Sequence, residues 1–204
     1  MLHSFFKKLF GPKKNESTSG RPLVERGKYM PEINIPVDEK FTINFKKNGG
    51  KFIYCENNEE IGEAFENILL ENAWENAEVY CTNKELTNKF KSFNLNYTKS
   101  PFKAVFFLTE CENLVADVGG ILISSNQIGE LKLGDFPDSF VVLAKTSQLI
   151  GTIGEGLQRI KNVSGKKIPT NITTIKHFDV NNEKDFLSYG SSAKNLYLLL
   201  LEDL

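Results

Sequence analysis

Apolar residues along this chain come in short bursts whose spacing alternates between two periods. Residues 51–55 (KFIYC), after Gly49 and Gly50, alternate aromatic and β-branched side chains as a strand does. Ile61, Ala64, Phe65, Ile68, Leu69 and Trp74 then return at the three- and four-residue spacing of one helix face. Asn57 or Asn58 caps that helix, and Glu59 and Glu60 suit its positive end. Residues 77–81 (AEVYC) predict a second strand, and Leu86, Phe90 and Phe93 a second helix opened by Thr82 or Asn83. The nearly unbroken apolar run at 103–108 (KAVFFL) is of the kind found in strands covered on both faces.

A short helical piece is expected over 110–114, then strands at 121–125 (ILISS) and 139–144 (SFVVLA). Ile153, Leu157 and Ile160 predict a helix over 151–163, and 172–175 and 195–201 (NLYLLLL) complete the strands. The last run is apolar enough for the interior of a sheet. Strand and helix alternation of this kind implies an α/β fold, an open and mostly parallel sheet with helices on both faces. Ligands of such sheets bind at the carboxyl ends of the strands.

The pattern divides the chain into residues 1–27, an N-terminal amphipathic segment and flexible linker; 28–50, an extended arm; and 51–204, the α/β domain. In the first, Leu2, Phe5, Phe6, Leu9 and Phe10 share a helical face opposite Lys7 and Lys8, a chemistry suited to a membrane surface or a partner groove. About ten residues is too short for an isolated helix in water, so a disordered tail or a self-docked helix is the simpler expectation. Gly, Pro, Lys, Ser and Asn dominate 11–27, which cannot bury enough surface to offset chain entropy. Pro31 and Pro36 argue against a central strand in the arm.

Charge narrows the partners. With 25 basic and 26 acidic residues the formal net charge is -1, which gives no long-range field for nucleic-acid phosphates, so nucleic acid is not expected as a partner. No apolar run reaches the roughly 20 residues that span a bilayer. Cys55, Cys81 and Cys111 are scattered, without a C-x-x-C pair or clustered histidines, and read as buried thiols of a cytoplasmic protein. The histidines are His3 and His177 alone, and neither metal nor cofactor is expected. The glycines of Gly151, Gly154 and Gly156 have the wrong spacing for a dinucleotide fingerprint.

Two turns carry candidate chemistry. Asp117, Gly119 and Gly120 precede the strand that ends in Ser124 and Ser125. Paired glycines there permit a positive φ and the close approach of a ligand or another part of the chain, so a ligand site and a tight structural turn are both open readings. Gly190, Ser191 and Ser192 form a small hydroxyl-rich turn before the final strand, able to present N–H groups to a phosphate or carboxylate, or simply a loop.

The succession AVFFLT, ADVGG, ILISS, FPDSFVVLAKTSQLI and YGSSAKNLYLLLLED resembles the LUD family, the lactate-utilisation domain of lactate utilization protein C, over roughly residues 51–203. The resemblance implies a fold of the ribose-5-phosphate isomerase and CoA-transferase (NagB/RpiA-like) type. It also implies work beside iron-sulfur or oxidoreductase subunits that convert lactate to pyruvate. Asp117, Gly119 and Gly120 then match the family's acid-glycine turn, with Gly120 in place of the usual hydroxyl residue; Pro137 matches the proline before the next strand, and Gly190 the glycine before the last. The family's Gly-Pro-Ser-x-Thr-x-Asp stretch is altered to IPTNITT at 168–174, without the glycine and the aspartate.

The resulting expectation is an accessory or small-molecule-binding protein of lactate or organic-acid utilisation. Asp117, Gly119, Gly120, Ser124, Ser125, Gly190, Ser191 and Ser192 would line a pocket for a small carboxylate or phosphorylated ligand. The alternative is a non-enzymatic interaction module docking through its N-terminal helix.

Overall fold

In the computed structural model, residues 35–165, 167–178 and 194–204 are described. The expected N-terminal amphipathic segment and the 190–192 turn lie outside them.

The first described element corrects the expected arm. Val37–Lys47 is a helix, α1, rather than extended chain. Pro36 stands at its N-cap, where a missing N–H costs no intrahelical bond. Asp38 and Glu39 in the first turn and Lys46 and Lys47 in the last complement the helix dipole, and Phe41 and Phe45 stack at 5.2 Å on the buried side.

From there the expected alternation follows: β1 (Lys51–Cys55), α2 (Asn58–Glu71), β2 (Glu78–Tyr80), α3 (Lys84–Lys89), a short β3 (Asn96–Thr98) and β4 (Phe106–Glu110). The expected caps form, since Asn57 accepts from the Glu59 and Glu60 N–H groups and Asn83 from those of Glu85 and Leu86. Where a helical piece was expected after β4, the chain makes β5 (Asn113–Val115), which turns back into β6 (Gly120–Ile123) as an antiparallel hairpin. Its residues are set by burial between layers, which outweighs local helical spacing. A single turn, α4 (Ser125–Ile128), precedes β7 (Ser139–Lys145), β8 (Leu149–Ile150), α5 (Ile153–Ser164), β9 (Thr173–Ile175) and β10 (Asn195–Leu201).

Six strands form one open, wholly parallel sheet in the order β1-β10-β7-β4-β2-β3. The runs expected at 121–125 and 172–175 join a second sheet instead, in the order β8-β5-β6-β9. Alternation along each strand shows how the layers stack. In β7, Val141 and Leu143 face a core with Phe65, Ile68 and Leu69 of α2 and Leu86 of α3. Phe140, Val142 and Ala144 face the opposite core, with Phe41 and Phe45 of α1 and Leu114, Ile121 and Ile123 of the small sheet. The outer face of the small sheet, Val115 and Leu122, is closed by Ile160 of α5. The small sheet with α1 therefore covers one face of the large sheet, and α2 and α3 cover the other. Among the described residues no helix is long and apolar enough to cross a membrane.

β10 carries the most demanding burial. Leu196, Leu198 and Leu200 enter one core and Tyr197 and Leu199 the other, all at most 2% exposed. Leu198→Ala is expected to cost about 2–5 kcal/mol in urea unfolding, whereas Val163→Ala, at a position 82% exposed, should stay within about 0.5 kcal/mol.

Candidate functional site

The parallel sheet has two unlike edges, and the sequence-predicted residues fall on both. At the amino edge, the turn holding Asp117, Gly119 and Gly120 is gripped by α1. The Asn44 side chain donates to the carbonyl oxygen of Ala116 at 2.8 Å, Asn48 donates to those of Val118 and Gly119 at 2.7 and 3.0 Å, and Lys40 pairs with Asp117. Gly119 has φ +56°, and a Cβ on it would lie 2.3 Å from the Asn44 backbone; one on Gly120 would lie 2.9 Å from the Ile175 carbonyl oxygen. The close approach that the glycines permit is made by the protein's own helix and by β9.

Ser124 and Ser125 lie at the other end of β6, about 13 Å away along a four-residue strand. Ser124 is fully buried and caps α4: its hydroxyl donates to Glu112 at 2.5 Å, and its N–H is accepted by Gln127 at 2.8 Å. Ser125 pairs with Thr170, whose N–H it accepts at 3.0 Å. The fold thus places these two groups of predicted residues at opposite ends of β6. Gly190, Ser191 and Ser192 lie outside the described residues.

The amino edge is tied inward at a further point that sequence reasoning missed. Lys194, 1% exposed, donates to the carbonyl oxygens of Phe136 at 3.0 Å and Pro137 at 3.1 Å. Burial holds its amine below the usual lysine range, against the opposing pull of Asp138. A lysine beside a polar turn gives no sequence signal of such burial.

The carboxyl edge is different. The connection leaving β2 runs to α3 on one face of the sheet, while that leaving its neighbour β4 runs to β5 on the other, which opens a crevice between them. A cleft of about 530 Å³ lies along this edge. Its apolar lining is Leu86, Leu143 and Leu201; its polar lining includes Asn58 at the start of α2, Glu85 and Lys89 of α3, Glu110 closing β4 and Lys145 closing β7. Gln148 completes it and is held rigidly, accepting from the Lys145 N–H at 2.7 Å and donating to the Cys111 carbonyl oxygen at 2.6 Å.

Electrostatics single out Lys89 among these groups. Lys89 is held below the ordinary lysine range, first by burial and then by the neighbouring charge of Lys145. Its ammonium donates to the neutral side chain of Asn58, and among the described residues neither Lys89 nor Lys145 has a carboxylate in a salt bridge. Glu110 is steadied by Asn83, which donates to its Oε2 at 2.8 Å. Asp203, just past β10, lies below the usual carboxylate range: burial pushes it up, but hydrogen bonds from Ser147 and Thr146 and the charge of Lys145 outweigh that. Cys81, near the same edge, is pushed up to about 11, chiefly by burial, while a backbone hydrogen bond with Asn83 opposes and the charge of Glu110 adds to the shift. With burial the dominant cause, it is a protonated thiol at neutral pH, not a ready nucleophile. Among the described residues no group of three or more His, Cys, Asp or Glu could hold a metal ion.

Fold and cleft together define an α/β protein that presents a polar crevice at the carboxyl edge of a parallel sheet. The chain belongs to the LUD-domain family: a profile of that domain matches residues 39–193. The match begins within α1, so the helix that grips the 117–120 turn is part of the family domain. The fold is similar to that of a DUF162 family protein from Deinococcus radiodurans, at 12% identity and a TM-score of 0.56, covering 82% of this chain and 96% of that one. Among curated proteins, none matches the chain.

Two outcomes test this description. Gly119→Ala should cost at least about 1–2 kcal/mol in urea unfolding from the left-handed backbone alone, with the collision against α1 adding to it. Peptide-resolved alkylation of Cys81 by iodoacetamide should keep accelerating above pH 9.0, the ordinary thiol value, towards about 11; a plateau near 9.0 would contradict the burial account.

Proposed function

We propose that this LUD-domain protein serves lactate or related organic-acid utilisation as a small-molecule-binding accessory to redox subunits. The observation that carries the reading is the carboxyl-edge cleft, where two lysines that form no salt bridge among the described residues stand beside acceptors fixed by the fold. A carboxylate is the complementary ligand for such cations. The electron transfer that oxidation of a hydroxy acid requires belongs to iron-sulfur or oxidoreductase partners, and this chain contributes recognition of the acid. Ser124 and Ser125 serve the same edge by anchoring α4 and the 170 region behind it.

The test is purification of the tagged full chain from its own host, with mass spectrometry of what accompanies it. Recovery of an iron-sulfur or flavin-dependent oxidoreductase subunit is the expected outcome. Recovery of unrelated proteins, lost when residues 1–20 are removed, would contradict it and favour an interaction module acting through its N-terminal segment.

A further inference from the structure

The size and lining of the carboxyl-edge cleft say more about its ligand than that it is an acid. Lactate has six heavy atoms, and at about 30 Å³ per water-sized group it needs at most about 180 Å³. The cleft offers about 530 Å³, within the range of pockets that enclose larger small molecules. A three-carbon acid would leave most of it to water.

The lining also carries both signs of charge. Lys89 and Lys145 both line the cleft and repel each other, and that repulsion adds to the burial that already holds Lys89 below its ordinary range. An anionic group between them relieves the repulsion and gains charge-assisted hydrogen bonds. Glu110 faces the same space with Oε2 engaged by Asn83, so Oε1 is available to accept. A second anion is disfavoured next to that carboxylate, whereas a hydroxyl is matched to it. Leu143 and Leu201 supply an apolar surface for the carbon chain.

We infer that the cleft takes a hydroxylated organic acid longer than lactate, its carboxylate held between Lys89 and Lys145 and a hydroxyl donated to Glu110. The inference rests on the proposed binding role of this cleft and specifies the class of acid. Specificity comes from the hydroxyl: a ligand without it covers Oε1 of Glu110 without offering it a donor, a penalty larger than that for losing apolar contact.

Isothermal calorimetry on the full chain with three probes, D-gluconate, hexanoate and L-lactate, tests it. Gluconate should bind, and hexanoate, with as many carbons but no hydroxyls, should bind at least roughly tenfold more weakly. Lys89→Met and Lys145→Met should each weaken gluconate by roughly tenfold at an unchanged melting temperature, and Glu110→Gln should narrow the gap between gluconate and hexanoate. Equal binding of gluconate and hexanoate, lactate as tight as gluconate, or gluconate binding indifferent to both lysine substitutions would each overturn the inference. No heat from any probe, in a protein that still co-purifies with a redox subunit, overturns the inference and leaves the accessory role standing. Gluconate binding without such a partner supports the inference and removes the accessory role.

Discussion

The structure depends on the chain's last strand lying between its first and its seventh. β10 runs parallel to β1 through Lys51↔Tyr197 to Cys55↔Leu201, and to β7 through Asn195↔Ser139 to Leu201↔Lys145. Without it β1 has no neighbour in the large sheet, and both cores lose their central row of side chains. Such an arrangement pairs residues some 146 positions apart, as in the contact of the Lys51 amine with the Tyr197 hydroxyl. Closing a loop of that length brings an entropic cost that dense apolar burial must outweigh. The uninterrupted apolar composition of 195–201 follows from that demand.

Insertion of β10 also shapes the carboxyl edge. Beyond Leu201, Glu202 accepts the Tyr54 hydroxyl at 2.5 Å, and Asp203 accepts from the Ser147 N–H and hydroxyl at 2.8 and 2.7 Å. These bonds fasten the ends of β1, β7 and β10 at one level, with the cleft beside them. The two edges of the sheet consequently differ in how their polar groups are used. At the amino edge Asn44, Asn48 and Lys194 all point their donors at backbone carbonyl oxygens, which joins layers together. At the carboxyl edge Asn83 and Gln148 hold the framework, and Lys89, Lys145 and Glu110 line the cleft proposed to take a ligand.

Much of the fold was legible because buried parallel strands leave strong traces. KFIYC and NLYLLLL coincide with β1 and β10, and the caps at Asn57 and Asn83 fall where short polar side chains can reach free N–H groups. The elements that escaped have local sequences ambiguous between periods. α1 follows two prolines, which mask a helix stabilised chiefly by Phe41 and Phe45 docking into a distant core. β5 is three residues long and is defined by its pairing with β6 and with β8, the second of which no local window of sequence contains. The same limit applies to the candidate site. The pair of glycines at 119 and 120 correctly signals close approach, but sequence cannot say whether a ligand or Asn44 does the approaching. Lys89, Glu110 and Lys145 stand on three separate elements and share no motif.

The central claim is that small molecules are recognised at the carboxyl edge, with the 117–120 turn serving to dock α1. Backbone amide chemical-shift mapping of the full chain during titration with gluconate tests it most directly. The account predicts shifts clustered at Asn58, Lys89, Glu110, Lys145 and Gln148, with residues 116–120 silent. Shifts concentrated at Asp117, Gly119 and Gly120, with the carboxyl edge unmoved, would contradict it.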